Sequence, residues 1–165
     1  MFIKGMESEN FGNYQKPSMF IAFPKCNFKC DKECGMLVCQ NSALANSPNI
    51  EINITNLVSH YLKNDITEAI VCGGLEPFDT WNDLFLFIQE VRHSTLDDIV
   101  IYTGYKEEEI QDKNKELKQI PNIIIKFGRF IPDSKHKYDK ILGVYLASDN
   151  QYAKRISWLY KYFML

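Results

Sequence analysis

The chain has 165 residues, 19 Lys and Arg against 21 Asp and Glu, a net charge of −2, 45% hydrophobic residues and 24% charged ones. That balance is ordinary for one globular domain and removes the electrostatic reason to expect a nucleic-acid or anionic-membrane partner. A chain of this size buries roughly 70% of its unfolded surface, so its cysteines are expected to serve chemistry rather than to staple the fold. No apolar run approaches the ~20 residues of a membrane span. Met1-Phe2-Ile3-Lys4-Gly5 is too soon interrupted by charge for a secretory signal. A reducing, cytoplasmic location is expected, which argues against a disulfide framework.

Residues 1–17 read as an N-terminal extension. Ser18–Phe23 is an apolar run of strand type, and it opens into a cysteine-rich loop, residues 24–49. Thr55–Asn64 reads as a helix capped by Thr55. Glu68–Cys72 is a short buried-type strand ending on Gly73-Gly74. Thr80–His93 places Trp81, Leu84, Phe85, Ile88 and Val91 on one helical face, with Thr80 as its cap. Asp98–Thr103 is a further strand, Lys106–Gln119 a polar helix stopped before Pro121, and Asn122–Phe127 another strand followed by Gly128. Glu107-Glu108-Glu109 suits the positive end of the helix they open. Leu142–Leu146 reads as a last strand, and residues 152–165 as an aromatic tail. Strands alternating with helices predict βαβ units around a mostly parallel sheet. In such sheets ligands gather at the carboxyl ends of the strands, where glycines allow close backbone approach.

Four of the five cysteines, Cys26, Cys30, Cys34 and Cys39, fall within fourteen residues, with three, three and four residues between neighbours. A structural zinc site normally adds a second, distant pair, which is absent. The ferredoxin pattern uses two-residue gaps and a remote last ligand, which does not match. Inert buried thiols are a poor fit to a loop rich in Lys, Asp and Glu. The sharper reading, beside these, is a 4Fe–4S cluster on three thiolates, with one iron left open to bind a ligand.

These residues resemble the radical S-adenosylmethionine (SAM) enzymes, whose loop after the first strand carries Cys-x-x-x-Cys-x-x-Cys. Cys26 and Cys30 match its first two positions, whereas Cys34 lies one residue and Cys39 six residues beyond the third. Val38 before Cys39, and Gln40-Asn41 after it, resemble the family's surroundings better than the neighbours of Cys34 do. Cys39 is therefore taken as the third ligand, residues 31–38 as an enlarged loop, and Cys34 as a nearby unligated thiol. Gly73-Gly74-Leu75-Glu76-Pro77 resembles the family's Gly-Gly-Glu-Pro turn with one residue inserted. Within the family, Ile101-Tyr102-Thr103-Gly104-Tyr105, Gly128-Arg129-Phe130 and Ser148-Asp149-Asn150-Gln151 are similar to segments of the activating proteins of anaerobic ribonucleotide reductase. Phe127 and Ala147 depart from that group, which tends to carry Asp and Gly there.

The resemblance implies a single-domain, incomplete α/β barrel. It implies SAM as cofactor, chelated to the open iron and cleaved by one electron to methionine and a 5′-deoxyadenosyl radical. That radical would take a hydrogen atom from a glycine of a large partner enzyme, most directly an anaerobic ribonucleotide reductase. An external donor such as flavodoxin or ferredoxin would supply the electron. Cys26, Cys30 and Cys39 would hold the cluster, Gly73 and Gly74 would let the backbone approach SAM, and Glu76 would accept from its ammonium. Asn41 and Thr103 are further candidates for polar contacts to SAM, although Thr103 suits a purely structural strand end equally well. His60, His93 and His136 fall on polar stretches and are expected at the surface. The aromatic tail would pack over the sheet or dock a partner, and a chain this short leaves little room for a substrate domain of its own. Two rivals stand beside this reading. One is a small-molecule radical SAM enzyme similar to 7-carboxy-7-deazaguanine synthase, which Glu9-Asn10-Phe11-Gly12 before Pro17 resembles. The other is a non-catalytic iron–sulfur or zinc module on all four clustered cysteines.

Overall fold

A computed structural model of the chain describes residues 1–157. Its centre is a sheet of six strands: β2 (Gly5–Asn10), β3 (Ser18–Phe23), β5 (Ala69–Gly74), β6 (Asp98–Tyr102), β7 (Ile123–Phe127) and β10 (Tyr152–Arg155). The order is β10-β7-β6-β5-β3-β2. The four central strands run parallel, and β2 and β10 close the edges antiparallel. Two smaller pairs complete the strands: β1 (Phe2–Ile3) with β4 (Ile50–Glu51), and β8 (Lys137–Asp139) with β9 (Val144–Leu146). Residues 1–17, read above as an extension, thus supply β1 and the edge strand β2.

The parallel strands are largely apolar runs buried on both faces, as expected of strands joined by helical crossovers. One face, with Met19, Ile21, Ile70, Cys72, Ile99, Ile101, Ile123 and Ile125, packs against α3 (Ile54–Leu62), α4 (Trp81–Arg92) and α5 (Gln111–Leu117). Those helices contribute Leu57, Val58, Leu84, Phe87, Ile88, Val91 and Leu117, each side chain worth about 1.5–3 kcal/mol of burial. The opposite face, with Val71, Val100 and Ile124, is covered by Tyr14 from the N-terminal segment and by Leu142 and Leu146 at the β8–β9 hairpin. All three crossover helices therefore share one side of an open sheet.

Element boundaries follow local chemistry. Helix α3 is capped by Asn53, whose side chain accepts from the Asn56 amide at 3.1 Å, and Thr55 lies inside the first turn. A 3₁₀ turn, Pro77–Thr80, precedes α4, and the Thr80 hydroxyl donates to the Pro77 carbonyl instead of capping the helix. Glu107–Ile110 is likewise a 3₁₀ turn, so only Gln111–Leu117 of the expected polar helix is α-helical. The cysteine-rich loop holds two short helices, α1 (Lys29–Cys34) and α2 (Ser42–Ala45). Of the expected aromatic tail, Trp158–Leu165 lies outside the described residues. Among the described residues no helix is long and apolar enough to cross a membrane.

Candidate metal centre and cofactor cavity

A cavity of about 390 Å³ opens at the carboxyl ends of the four parallel strands. That volume falls in the range of small-molecule sites. Cys26, Cys30 and Cys39 open onto it, with Gly73 and Gly74 from β5 and Thr103 just past β6. Cys34, at the last turn of α1, is exposed and does not line it.

Each cysteine is placed by a local device. The chain leaves β3 through Pro24 and is tied to the β5 turn by the Glu76 amide, which donates to the Lys25 carbonyl at 2.8 Å. Asn27 donates from its backbone to Asp79 at 2.8 Å and from its side chain to the Tyr105 hydroxyl at 2.9 Å. Phe28 is left-handed, with φ 54°, and its amide donates to the Cys26 sulfur at 3.2 Å. Asp31 closes the enlarged loop: its Oδ1 accepts from the amides of Val38 and Cys39, both at 2.8 Å. A carboxylate one residue after Cys30 thus draws Cys39 back to the cavity that Cys30 faces. Burial pushes the Cys26 thiol up to about 12 against the Phe28 amide, and it pushes the Cys30 thiol up as well. Loading a metal centre there would therefore release protons.

The other side of the cavity carries two buried charges. Glu76 is 4% exposed, and its carboxylate accepts from the Thr103 hydroxyl at 2.8 Å, the Gly104 amide at 2.8 Å and the Phe78 amide at 3.1 Å. Burial holds its carboxyl up at about 7 against those donors. Lys126, the one charged side chain in the Ile123–Phe127 strand, is 7% exposed and lines the same cavity. Burial pushes its ammonium down to about 8, with the charge of Glu76 opposing. Its Nζ donates to the Gly128 carbonyl at 3.1 Å.

The structure gives some predicted site residues internal duties. The Thr103 hydroxyl holds Glu76 and accepts from the Tyr105 amide at 3.0 Å, the structural alternative noted for it. Asn41 Nδ2 donates to the Gly74 carbonyl at 2.7 Å, tying the cysteine loop to β5. Gly74 has φ +83°, and a Cβ there would lie 2.6 Å from Ala22 Cα; at Gly73 it would lie 3.0 Å from the Phe20 ring. Positive φ and the Ala22 backbone require glycine at position 74 before any ligand enters, whereas at position 73 a Cβ would press on the Phe20 ring. His60, His93 and His136 are all exposed.

Three residues were given no role at the site by the sequence reading: Lys126, Asp31 and Arg129, the last quoted only within the Gly128-Arg129-Phe130 resemblance. A lysine interrupting an Ile-rich strand was the available sign for Lys126, because a buried lysine needs a reason. The duties of Asp31 and Arg129 depend on contacts across the fold and left no comparable trace. Among the described residues, no group of three His, Cys, Asp or Glu is placed to hold a single metal ion. Three thiols around a common cavity suit a larger, polynuclear group with soft ligands.

A family model described as a 4Fe-4S single cluster domain matches residues 17–152, most of the chain. Comparison with curated proteins and with solved structures returned no match. The chain belongs to the 4Fe-4S single-cluster family.

Proposed function

We propose that this member of the 4Fe-4S single-cluster family is a radical SAM activase. Its cluster would sit on Cys26, Cys30 and Cys39, and its target would be a glycyl-radical enzyme, most directly an anaerobic ribonucleotide reductase. One observation carries the reading: three thiols, a buried carboxylate and a buried ammonium face one cavity at the ends of the parallel strands. SAM ends in an α-amino acid, a zwitterion, and opposite charges on one wall complement it. Glu76 would take the amino group, and Lys126 the carboxylate. Asp31 would hold Cys39 in place, while the Asp79–Tyr105–Asn27 set would hold Cys26. The bound cluster would supply the electron for reductive cleavage of the SAM sulfonium.

The fold supports the same proposal. Crossover helices on one side of the sheet, with the cavity on the other, are what an incomplete α/β barrel requires; a doubly wound sheet would carry helices on both faces. A reducing cytoplasmic location and an external one-electron donor belong to the same reading. The small-molecule alternative is favoured by one observation: Gly12, which ends the segment resembling the deazaguanine synthase group, and Asn13 after it line the cavity.

The test is anaerobic reconstitution with iron and sulfide, followed by a strong reductant and SAM, with 5′-deoxyadenosine quantified. Cluster-dependent 5′-deoxyadenosine is expected. An intact cluster that neither binds nor cleaves SAM would instead place the chain among non-catalytic iron–sulfur modules. Glycyl-radical formation on a candidate reductase, read by electron paramagnetic resonance (EPR), separates the activase from the small-molecule enzyme.

A further inference from the structure

Arg129 follows Gly128 at the end of β7 and is 7% exposed. Its Nε lies 2.7 Å from Glu33 Oε2, and its Nη2 donates to Glu109 Oε1 at 2.7 Å. Lys29 pairs with Glu109 at 3.0 Å and Lys106 with Glu33 at 3.1 Å, so five charges bind α1 to the loops after β6 and β7. Nη1 and, despite its closeness to Glu33, Nε are buried without a hydrogen-bond partner. Buried guanidinium N–H groups without acceptors are costly, and each such group calls for an explanation.

Cys30 lies on the same side of Gly104 as the arginine stem. A Cβ built on Gly104 would lie 3.7 Å from Cys30 Sγ and 4.0 Å from Arg129 Cγ, so sulfur and arginine stem flank the same glycine. The Arg129 charge and the Phe130 backbone, one residue on, both act to lower the Cys30 thiol against the burial that raises it. We propose that Arg129 is a positioning residue for the iron–sulfur cluster: its guanidinium, fixed by the loop after β7 near the Cys30 corner, sets the reduction potential through its charge. Adding an electron to the cluster adds negative charge beside a fixed cation, which favours the reduced form and raises the potential. Glu33, contributed by the enlarged loop, opposes that effect by partly neutralising the guanidinium. The enlargement of the loop is thereby a means of adjusting the potential.

The inference rests on the cluster being held at Cys30, and iron and sulfide analysis reads that premise separately from the potential. The experiment is an EPR-monitored titration of the reconstituted protein with dithionite. One electron enters the cluster, dithionite is oxidised, and no covalent bond in the chain changes. Arg129→Met is expected to lower the midpoint by at least a tenfold change in the reduced-to-oxidised ratio, 59 mV for one electron. Arg129→Lys, which keeps the charge, is expected to recover more than half of that shift. Glu33→Gln is expected to move the midpoint the opposite way. A merely structural role would not give shifts of opposite sign. An unmoved midpoint in Arg129→Met at wild-type iron content overturns the inference, as does a fall in Glu33→Gln. If Arg129→Met takes up no cluster, Glu33→Gln decides alone: a rise supports the inference, and no change overturns it. A wild-type protein without iron and sulfide overturns the cluster placement, and the inference with it, before any titration.

Discussion

At the level of single residues, Cys26, Cys30 and Cys39 face the cavity and Cys34 does not. Cys34 is exposed and off the cavity, so Cys34→Ala is expected to keep the wild-type iron and sulfide content, and Cys39→Ala to lose the intact 4Fe–4S centre. Full loss in Cys34→Ala would favour four-cysteine ligation. Asp31 anchors Cys39 through two amide hydrogen bonds, so Asp31→Ala is expected to load poorly, whereas Asp31→Asn keeps an acceptor and is expected to load well. The visible charge-transfer absorbance after reconstitution reads both. Far from the cavity, Asp98 gathers Tyr14 at 2.9 Å, Lys16 at 2.9 Å and Arg155 at 2.6 Å. Burial alone would raise its pKa, but those partners hold the carboxyl down from 3.8 to about 2. A depressed folded-state pKa gives stability that is complete above the unfolded value and lost as pH falls through the folded one. The wild type is therefore expected to lose stability from about pH 4 toward pH 2 more steeply than Asp98→Ala. At neutral pH Asp98→Ala is expected to cost roughly 3 kcal/mol in urea unfolding, at the low end for a buried pair because Lys16 is partly solvated.

At the scale of elements, legibility tracked burial. Ser18–Phe23, Ala69–Gly74, Asp98–Tyr102 and Ile123–Phe127 stood out because central parallel strands are apolar on both faces. The edge strands Gly-Met-Glu-Ser-Glu-Asn and Tyr-Ala-Lys-Arg were missed, since an edge is polar and half-exposed and its pairing is decided by the neighbour. The cap of α3 was placed two residues late because Asn53 and Thr55 both have capping side chains, and only the backbone geometry separates them. Asn53→Ala is accordingly expected to cost about 1 kcal/mol, against a few tenths for Thr55→Ala, by thermal or urea unfolding. The Gly-Gly turn was legible as a motif, but its physical cause was not. Gly74→Ala is expected to destabilise the fold by more than 2 kcal/mol, because positive φ and the Ala22 backbone both oppose a Cβ.

At the scale of the whole molecule, one sheet separates two tasks. The helix-bearing face makes the larger core, and the face under Tyr14 and the β8–β9 hairpin makes the cavity. Cysteines, glycines, Glu76 and Thr103 could be found in the sequence because a motif orders them along the chain. Lys126 and Arg129 could not be given roles there, because a charge acquires meaning at a site only when the fold shows what it faces. In the proposed function, a three-cysteine cluster leaves one iron open for SAM. The most direct measurement is the EPR spectrum of the reduced, reconstituted protein with and without SAM. A spectrum altered by SAM, and unaltered by methionine-free analogues lacking the amino acid group, is predicted. An unchanged spectrum on a fully loaded cluster at saturating SAM would contradict the account.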